Sequence, residues 1–134
     1  MNKSRAILVL AISLIAQLIA RGDQLTLKNG DRISGTVVKS DGKNLILKSD
    51  LAGEVTIALE NISTINSDKP LYVVLADGRT VIGVVSATGD NANIKTSSGD
   101  IAVNRSSIQL IRSEAEQMIY EKTLKPGWLE QWTG

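Results

Sequence analysis

The sequence predicts an all-β protein: two tandem small SH3-like or Sm-like β-barrels followed by a short C-terminal helix. Apolar residues alternate with polar ones along short segments, and turns that contain glycine separate those segments. The whole pattern then occurs a second time, which is the sequence signature of an internal repeat. A single irregular β-sandwich of about eight to ten strands is the alternative interpretation of the same pattern.

Residues 1–22 have the form of a secretory signal peptide. Lys3 and Arg5 precede an uncharged, mainly apolar run at positions 6–20. This run has the length of a signal-peptide core, whereas a membrane-spanning helix needs about 20 residues. An uncleaved N-terminal anchor is the alternative. We therefore expect an exported protein that is located in the periplasm, with outer-membrane association as a further expectation.

The repeat divides the next ninety residues into units at 23–69 and 70–112. At a spacing of 48, Gly35 corresponds to Gly83. The spacing then shortens by two residues, so that Ile65 corresponds to Ile111. Chance rarely supplies matched glycines in matched turns, so we interpret the two units as copies of one supersecondary unit.

Each unit is expected to contain five short strands. In the first unit the alternating positions are Leu25–Leu27, Ile33–Val37, Leu45–Leu47 and Val55–Leu59, and a helical turn at residues 60–65 leads into a short closing strand. The intervening dipeptides Asn29-Gly30 and Asp41-Gly42 favour tight hairpin turns. Gly35 and Gly83 lie inside strands, where glycine marks a bend that lets one strand serve two sheets.

The predicted cores are thin and entirely aliphatic. A unit of about 45 residues is near the size at which an isolated domain becomes marginal. The second unit is the weaker copy, because Arg105 stands where the first unit has Leu59. We therefore expect the two units to pack against each other.

The segment 113–134 breaks the strand pattern. Ser113 is the expected N-cap of a short helix, and Glu116 is expected to complete a capping box. The apolar residues Ala115, Met118, Ile119 and Tyr120 then recur with mostly one-sided helical spacing.

Trp128 and Trp132 follow the predicted helix, four residues apart. Exposed tryptophan near a chain terminus is typical of a membrane-interface anchor or of a docking patch for a partner. Packing against the preceding helix is the plain structural alternative. These two residues are the site residues that we single out from the sequence, as a contact for a membrane or a partner.

Composition excludes several classes of function. The chain has no cysteine and no histidine, which excludes thiol chemistry and removes the usual general base. The formal net charge of +1 is too small for a dedicated nucleic-acid binder. Removal of residues 1–22 takes three of the fifteen basic residues, so the mature chain has twelve basic and fourteen acidic residues. We expect no enzyme activity and identify no catalytic, cofactor-binding or metal-binding residue.

The segment that begins Gln24-Leu-Thr-Leu-Lys-Asn-Gly-Asp-Arg-Ile-Ser-Gly resembles the opening of the bacterial DUF481 family of salt-induced outer-membrane proteins. The likeness continues through Ala52-Gly-Glu-Val-Thr56 and Arg112-Ser-Glu-Ala-Glu-Gln117, and it ends at Pro126-Gly-Trp-Leu-Glu-Gln-Trp-Thr-Gly134. The resemblance implies a periplasmic N-terminal region that precedes, or is paired with, an outer-membrane β-barrel. It implies no catalytic residues.

Two functional classes follow from these observations. The first is a non-catalytic periplasmic interaction or structural module that associates with an outer-membrane barrel or another protein partner. The alternative is an SH3-like ligand-binding module for cell-wall glycan or peptide. Grooves of that kind are usually lined with aromatic side chains, and Tyr72 is the one aromatic residue of the two units. RNA binding by an Sm-like unit fits the strand pattern but conflicts with export and with weak charge.

Overall fold

The computed structural model of the protein describes residues 22–124, so the predicted signal peptide up to residue 21 lies outside the described residues. The strands are β1 Asp23–Leu27, β2 Arg32–Ser40, β3 Asn44–Ser49, β4 Gly53–Ala58, β5 Ile62–Asn66, β6 Leu71–Leu75, β7 Thr80–Thr88, β8 Asn91–Thr96, β9 Gly99–Asn104 and β10 Ile108–Arg112. One 3-10 turn, Leu59–Asn61, precedes β5, and a second, Arg105–Ser107, precedes β10. A single helix, α1, spans Glu114–Leu124 and follows the last of these strands.

Six of the strands close into a barrel. The order of hydrogen-bonded neighbours is β1-β5-β7-β6-β10-β2, and β2 pairs with β1 to complete the ring. Each of these pairings is antiparallel. The hairpins β3–β4 and β8–β9 extend the wall from β2 and β7. A mostly β protein with a β-barrel and a C-terminal helix is therefore confirmed.

The prediction of two tandem barrels, one for each repeat, is not confirmed. The last strand of each repeat pairs with the other repeat: β5 pairs with β7, and β10 pairs with β2. One barrel is therefore built from both units. The physical reason is the thin core of each unit, because a shared barrel buries both sets of aliphatic side chains together.

Two glycines let the long strands β2 and β7 bend between the two parts of the wall. The part of β2 up to Gly35 pairs with β1, and the part beyond it pairs with β3 and β10. A Cβ atom at Gly35 would overlap the carbonyl oxygen of Lys48, and one at Gly83 would lie 2.5 Å from the carbonyl oxygen of Lys95. The predicted bends are therefore confirmed, and their cause is close backbone approach.

The bends separate the wall into two sheets, each with strands from both repeats. Sheet I contains the first half of β2, then β1, β5, the second half of β7, β8 and β9. Sheet II contains the equivalent elements: the first half of β7, then β6, β10, the second half of β2, β3 and β4. Both sheets therefore have the same strand plan with the two repeats exchanged.

The interior is a single aliphatic cluster. It combines seven buried side chains of the first repeat with nine of the second. The bulkiest fully buried members are Leu25, Leu45, Leu47, Ile62, Ile94, Val37, Val73 and Val85. Neither repeat therefore has a separate core.

Buried polar side chains bond to the backbone just after each bend. Asp23 is 4 % exposed, and its Oδ2 accepts a hydrogen bond from the Val37 amide at 2.7 Å. Its Oδ1 accepts a second bond from the Asp68 amide at 2.6 Å. At the equivalent bend of the second repeat, the Val85 amide donates to Oγ of Ser67, a residue near the end of the first repeat, at 2.7 Å. Different side chains thus satisfy the two equivalent amides, as buried backbone groups require.

Arg105 joins the two 3-10 turns. Its guanidinium donates to the Leu59 carbonyl at 2.9 Å and to the Ile62 carbonyl at 2.7 Å. These carbonyls belong to the turn and closing strand of the other repeat, so the arginine ties the two units together. The weaker core that we predicted at this position is offset by hydrogen bonds between the repeats.

Candidate interaction surface beside the C-terminal helix

Helix α1 begins where the sequence predicts. The Glu116 amide donates to Ser113 Oγ at 3.2 Å, which confirms Ser113 as the N-cap. The carboxylate of Glu116 lies 3.9 Å from Lys39 Nζ on β2. The Glu116 side chain therefore turns towards the barrel, and the Ser113 amide donates to the Val38 carbonyl instead of to Glu116. The predicted capping box is not formed.

The helix is attached to sheet II through polar and charged groups. The Ser113 amide donates to the Val38 carbonyl at 2.9 Å. The Arg112 guanidinium carbon lies 3.9 Å from the centroid of the Tyr120 ring, within the range of a cation–π contact. Arg112 Nη1 also donates to Gln117 Oε1 at 3.4 Å. The side of α1 that faces the barrel is therefore its polar side.

The apolar side of α1 faces away from the barrel. No residue of the helix is buried. Met118 and Ile119 are each 55 % exposed, and Leu124 is 62 % exposed. Ala115 is also exposed and lies one helical turn before Met118 and Ile119. Helices usually place their apolar side against the core, so the orientation of α1 makes its apolar side a candidate contact surface.

A groove beside the start of α1 continues this apolar surface. It has a volume of about 480 Å³ and lies between the helix, β6 and β7. Tyr72, Ile82 and Ala115 contribute apolar lining, together with Pro70, and the rest of the lining is polar or charged. Ile82 is 49 % exposed although it lies in a strand. We call Tyr72, Ile82, Ala115, Met118 and Ile119 the helix-side surface.

Trp128 and Trp132, the site residues predicted from the sequence, lie outside the described residues. Met118 and Ile119 follow from the sequence as helical apolar positions, but their exposure does not. Ile82 is a functional candidate that the sequence prediction lacks. The sequence signal for it is a large aliphatic residue at an outward position of a strand with alternating apolar residues.

Asp41, Asp77 and Arg105 have shifted pKa values, and these residues lie outside the helix-side surface. Amide donors at Asn44 and Lys43 lower the pKa of Asp41. The amide of Arg79, with help from its side chain, lowers the pKa of Asp77. Burial lowers the pKa of Arg105, while the nearby Asp90 carboxylate opposes this shift.

Within residues 22–124, no group of three or more His, Cys, Asp or Glu side chains is arranged to hold a metal ion. In the same range, no helix has the length and apolar character needed to cross a membrane. Comparisons with protein-family models, with curated proteins and with solved structures find no match for the chain. The resemblance to the DUF481 family therefore stays a prediction.

Proposed function

We propose that this protein is a non-catalytic interaction module of the periplasm that associates with an outer-membrane β-barrel on the same or another chain. The observation that carries the proposal is the helix-side surface. Four of the six exposed large hydrophobic side chains among residues 22–124 belong to α1. Concentrated exposed apolar area is characteristic of a site for protein contact.

The attachment of α1 supports a protein partner. Arg112, Glu116 and Gln117 direct the polar side of the helix to the barrel. The helix is thus held in place while its apolar side stays available. Helix α1 contains three glutamates and one lysine, and this negative balance disfavours an anionic lipid surface as the main contact.

The strand order of each repeat supports the interpretation as an SH3-like module. In the first repeat, β1 pairs with β2 and β5, and the chain continues through β3 to β4. A 3-10 turn precedes β5, as in the second repeat. We infer that the units at 23–69 and 70–112 are two SH3-like units that have exchanged the contacts of their closing strands.

Site-specific photo-crosslinking in cells tests this function. A photoreactive amino acid is placed at position 118 or 119 of the full chain, in a Gram-negative host. Position 51 is the matched control, because Leu51 is 100 % exposed and lies in the β3–β4 turn, outside the helix-side surface. We expect crosslinks from positions 118 and 119 to a protein that fractionates with the outer membrane and is heat-modifiable, as outer-membrane barrels are.

Two results would contradict the proposal. One is an equal yield of the same product from position 51, which would indicate nonspecific contact. The other is a product that consists solely of two copies of this chain or of cytoplasmic proteins. The additional variant Ile119→Lys should remove the crosslink from position 118 while leaving the unfolding midpoint of the protein unchanged.

A further inference from the structure

The outer surface of sheet I has a chemistry that the interaction described above does not use. Strand register arranges its outward residues in two rows across six strands. The first row is Arg32, Thr26, Thr64, Thr88, Asn91 and Asn104, and the second is Ser34, Gln24, Asn66, Ser86, Asn93 and Ala102. We call these twelve residues the polar face.

The polar face is nearly free of charge. Ten of its twelve side chains are uncharged amides or hydroxyls, and Arg32 is the one ionisable member. In the whole chain, 22 % of residues are charged. Every member of the polar face is exposed or half-buried, so these side chains contribute little to the core.

The hydrogen-bonding capacity of the polar face is mostly unused within the protein. Ser86 Oγ donates to Asn66 Oδ1 at 3.1 Å. The other eight amide and hydroxyl side chains make no side-chain hydrogen bond to any part of residues 22–124. Both carboxamides and hydroxyls can donate and accept. This array can therefore bond to a ligand without first breaking contacts inside the protein.

A shallow cleft, wide open to solvent, lies over one end of the polar face. It has a volume of about 700 Å³ and is bounded by β7, β8, β9 and the second 3-10 turn. Six polar residues and three small apolar residues line it: Ser86, Thr88, Asn91, Asn93, Asn104, Ser107, Ala92, Ala102 and Val103. None of these is ionisable, whereas four other clefts in the described part of the chain each contain several ionisable residues.

We propose that this cleft binds a neutral glycan chain along the polar face. A sugar polymer presents hydroxyl and acetamido groups that donate and accept hydrogen bonds, and these match the free amides of Asn91, Asn93 and Asn104. The absence of charge in the lining complements an uncharged ligand. Neighbouring strands are about 4.8 Å apart, a spacing comparable to one sugar unit of a β-linked chain.

An NMR titration of the ¹⁵N-labelled protein tests the proposal. The probes are cellohexaose, which carries hydroxyl groups, and chitohexaose, which adds acetamido groups. We expect saturable shifts of the side-chain amide resonances of Asn91, Asn93 and Asn104, and no shifts on the helix-side surface. Saturable binding of either probe supports the proposal, and the tighter ligand shows whether acetamido groups are recognised.

Paired variants locate the site. Asn91→Ala combined with Asn93→Ala should weaken binding about tenfold, because two hydrogen-bonding side chains are lost. Asn44→Ala is the matched control, since Asn44 is the equivalent of Asn91 on sheet II and is also exposed. Asn44→Ala should bind like the original protein. No saturable shift with either probe, or equal affinity in the double variant, would overturn the proposal even where the crosslinking result stands.

Discussion

Val74 has the place in the second repeat that Thr26 has in the first, and both point outward from the barrel. The same replacement of polar by apolar residues occurs in the neighbouring row of outward positions. There, Tyr72 pairs with Ile82 in sheet II, and Gln24 pairs with Ser34 in sheet I. The backbone plan of the two sheets is shared. Their outer surfaces differ because apolar residues of sheet II correspond to uncharged polar residues of sheet I.

The two repeats therefore share an aliphatic interior and differ in the chemistry of their outer surfaces. Sheet II carries α1 and the groove around Tyr72 and Ile82. Sheet I carries no helix among the described residues and presents the polar face. Buried positions are constrained by packing, whereas outward positions of a strand can change without disturbing the core. Two different contact surfaces can therefore be built on one duplicated frame.

The largest effect expected from breaking the shared frame is at the two bends. Gly35→Ala and Gly83→Ala should each destabilise the protein by about 2–3 kcal/mol, because the new methyl group overlaps a backbone carbonyl that cannot move freely. Urea unfolding measures the change. Gly42→Ala is the control, since a Cβ atom there meets nothing within 4 Å. If all three variants unfolded alike, the account of the bends would be wrong.

The two buried side chains that accept amide hydrogen bonds after the bends show how the equivalent interior positions differ. Asp23 accepts two amide hydrogen bonds, and Ser67 Oγ accepts one. Asp23→Asn should cost about 2 kcal/mol, because an amide nitrogen would then face a backbone N–H group. Ser67→Ala should cost about 1 kcal/mol. Thermal unfolding of both variants gives the ranking, and a larger loss at Ser67 would contradict it.

The smallest expected effect is a pH dependence that arises at one of two equivalent turns and not at the other. Asp77 and Asn29 have equivalent turn positions, and each Oδ1 accepts the amide hydrogen bond of the residue two positions later. The pKa of Asp77 is lowered from its ordinary value of 3.8. Its stabilising contribution is therefore fully present above pH 3.8 and is lost as the pH falls through the lower folded-state pKa.

Asp77→Asn introduces the residue that the first repeat has at this turn. The variant should reduce the dependence of folding stability on pH. Unfolding midpoints measured from pH 6 to pH 2 should converge for the two proteins as the pH falls. The effect should be small, because Asp77 lies in an exposed turn where solvent screens the charge. If the difference between the two unfolding midpoints grew as the pH fell, the stabilising role given to the Asp77 carboxylate would be wrong.

Much of the frame could be predicted from the sequence because it depends on local chemistry. The alternation of apolar and polar residues predicts that Leu25 and Leu47 lie in the core. The position of Gly35 inside a strand predicts a bend. The pairing of β5 with β7 could not be predicted. Two similar closing strands offer similar edges, and alternation at Ile65 or Ile111 identifies a buried face without identifying the neighbouring strand.

The polar face could not be predicted from the sequence either, because it also depends on which strands are neighbours. Thr26, Thr64 and Thr88 are neighbours on three adjacent strands, yet long stretches of chain separate them. Their alignment depends on the pairing of β5 with β7, which belong to different repeats. The apolar side of α1 was visible as a helical pattern, but its direction was not, because Arg112 and Glu116 fix that direction through contacts with the barrel.

The pairing of Arg112 with Lys39 has a consequence for the order of folding events. The strand that completes the barrel, β10, is the last of the ten described strands. Its partner β2 is the second of them along the chain. Such a distant pairing requires closure of a long loop, which slows folding. Until residue 112 arrives, β2 lacks its β10 neighbour. A growing chain therefore passes through a stage in which this edge of the sheet is open to other strands.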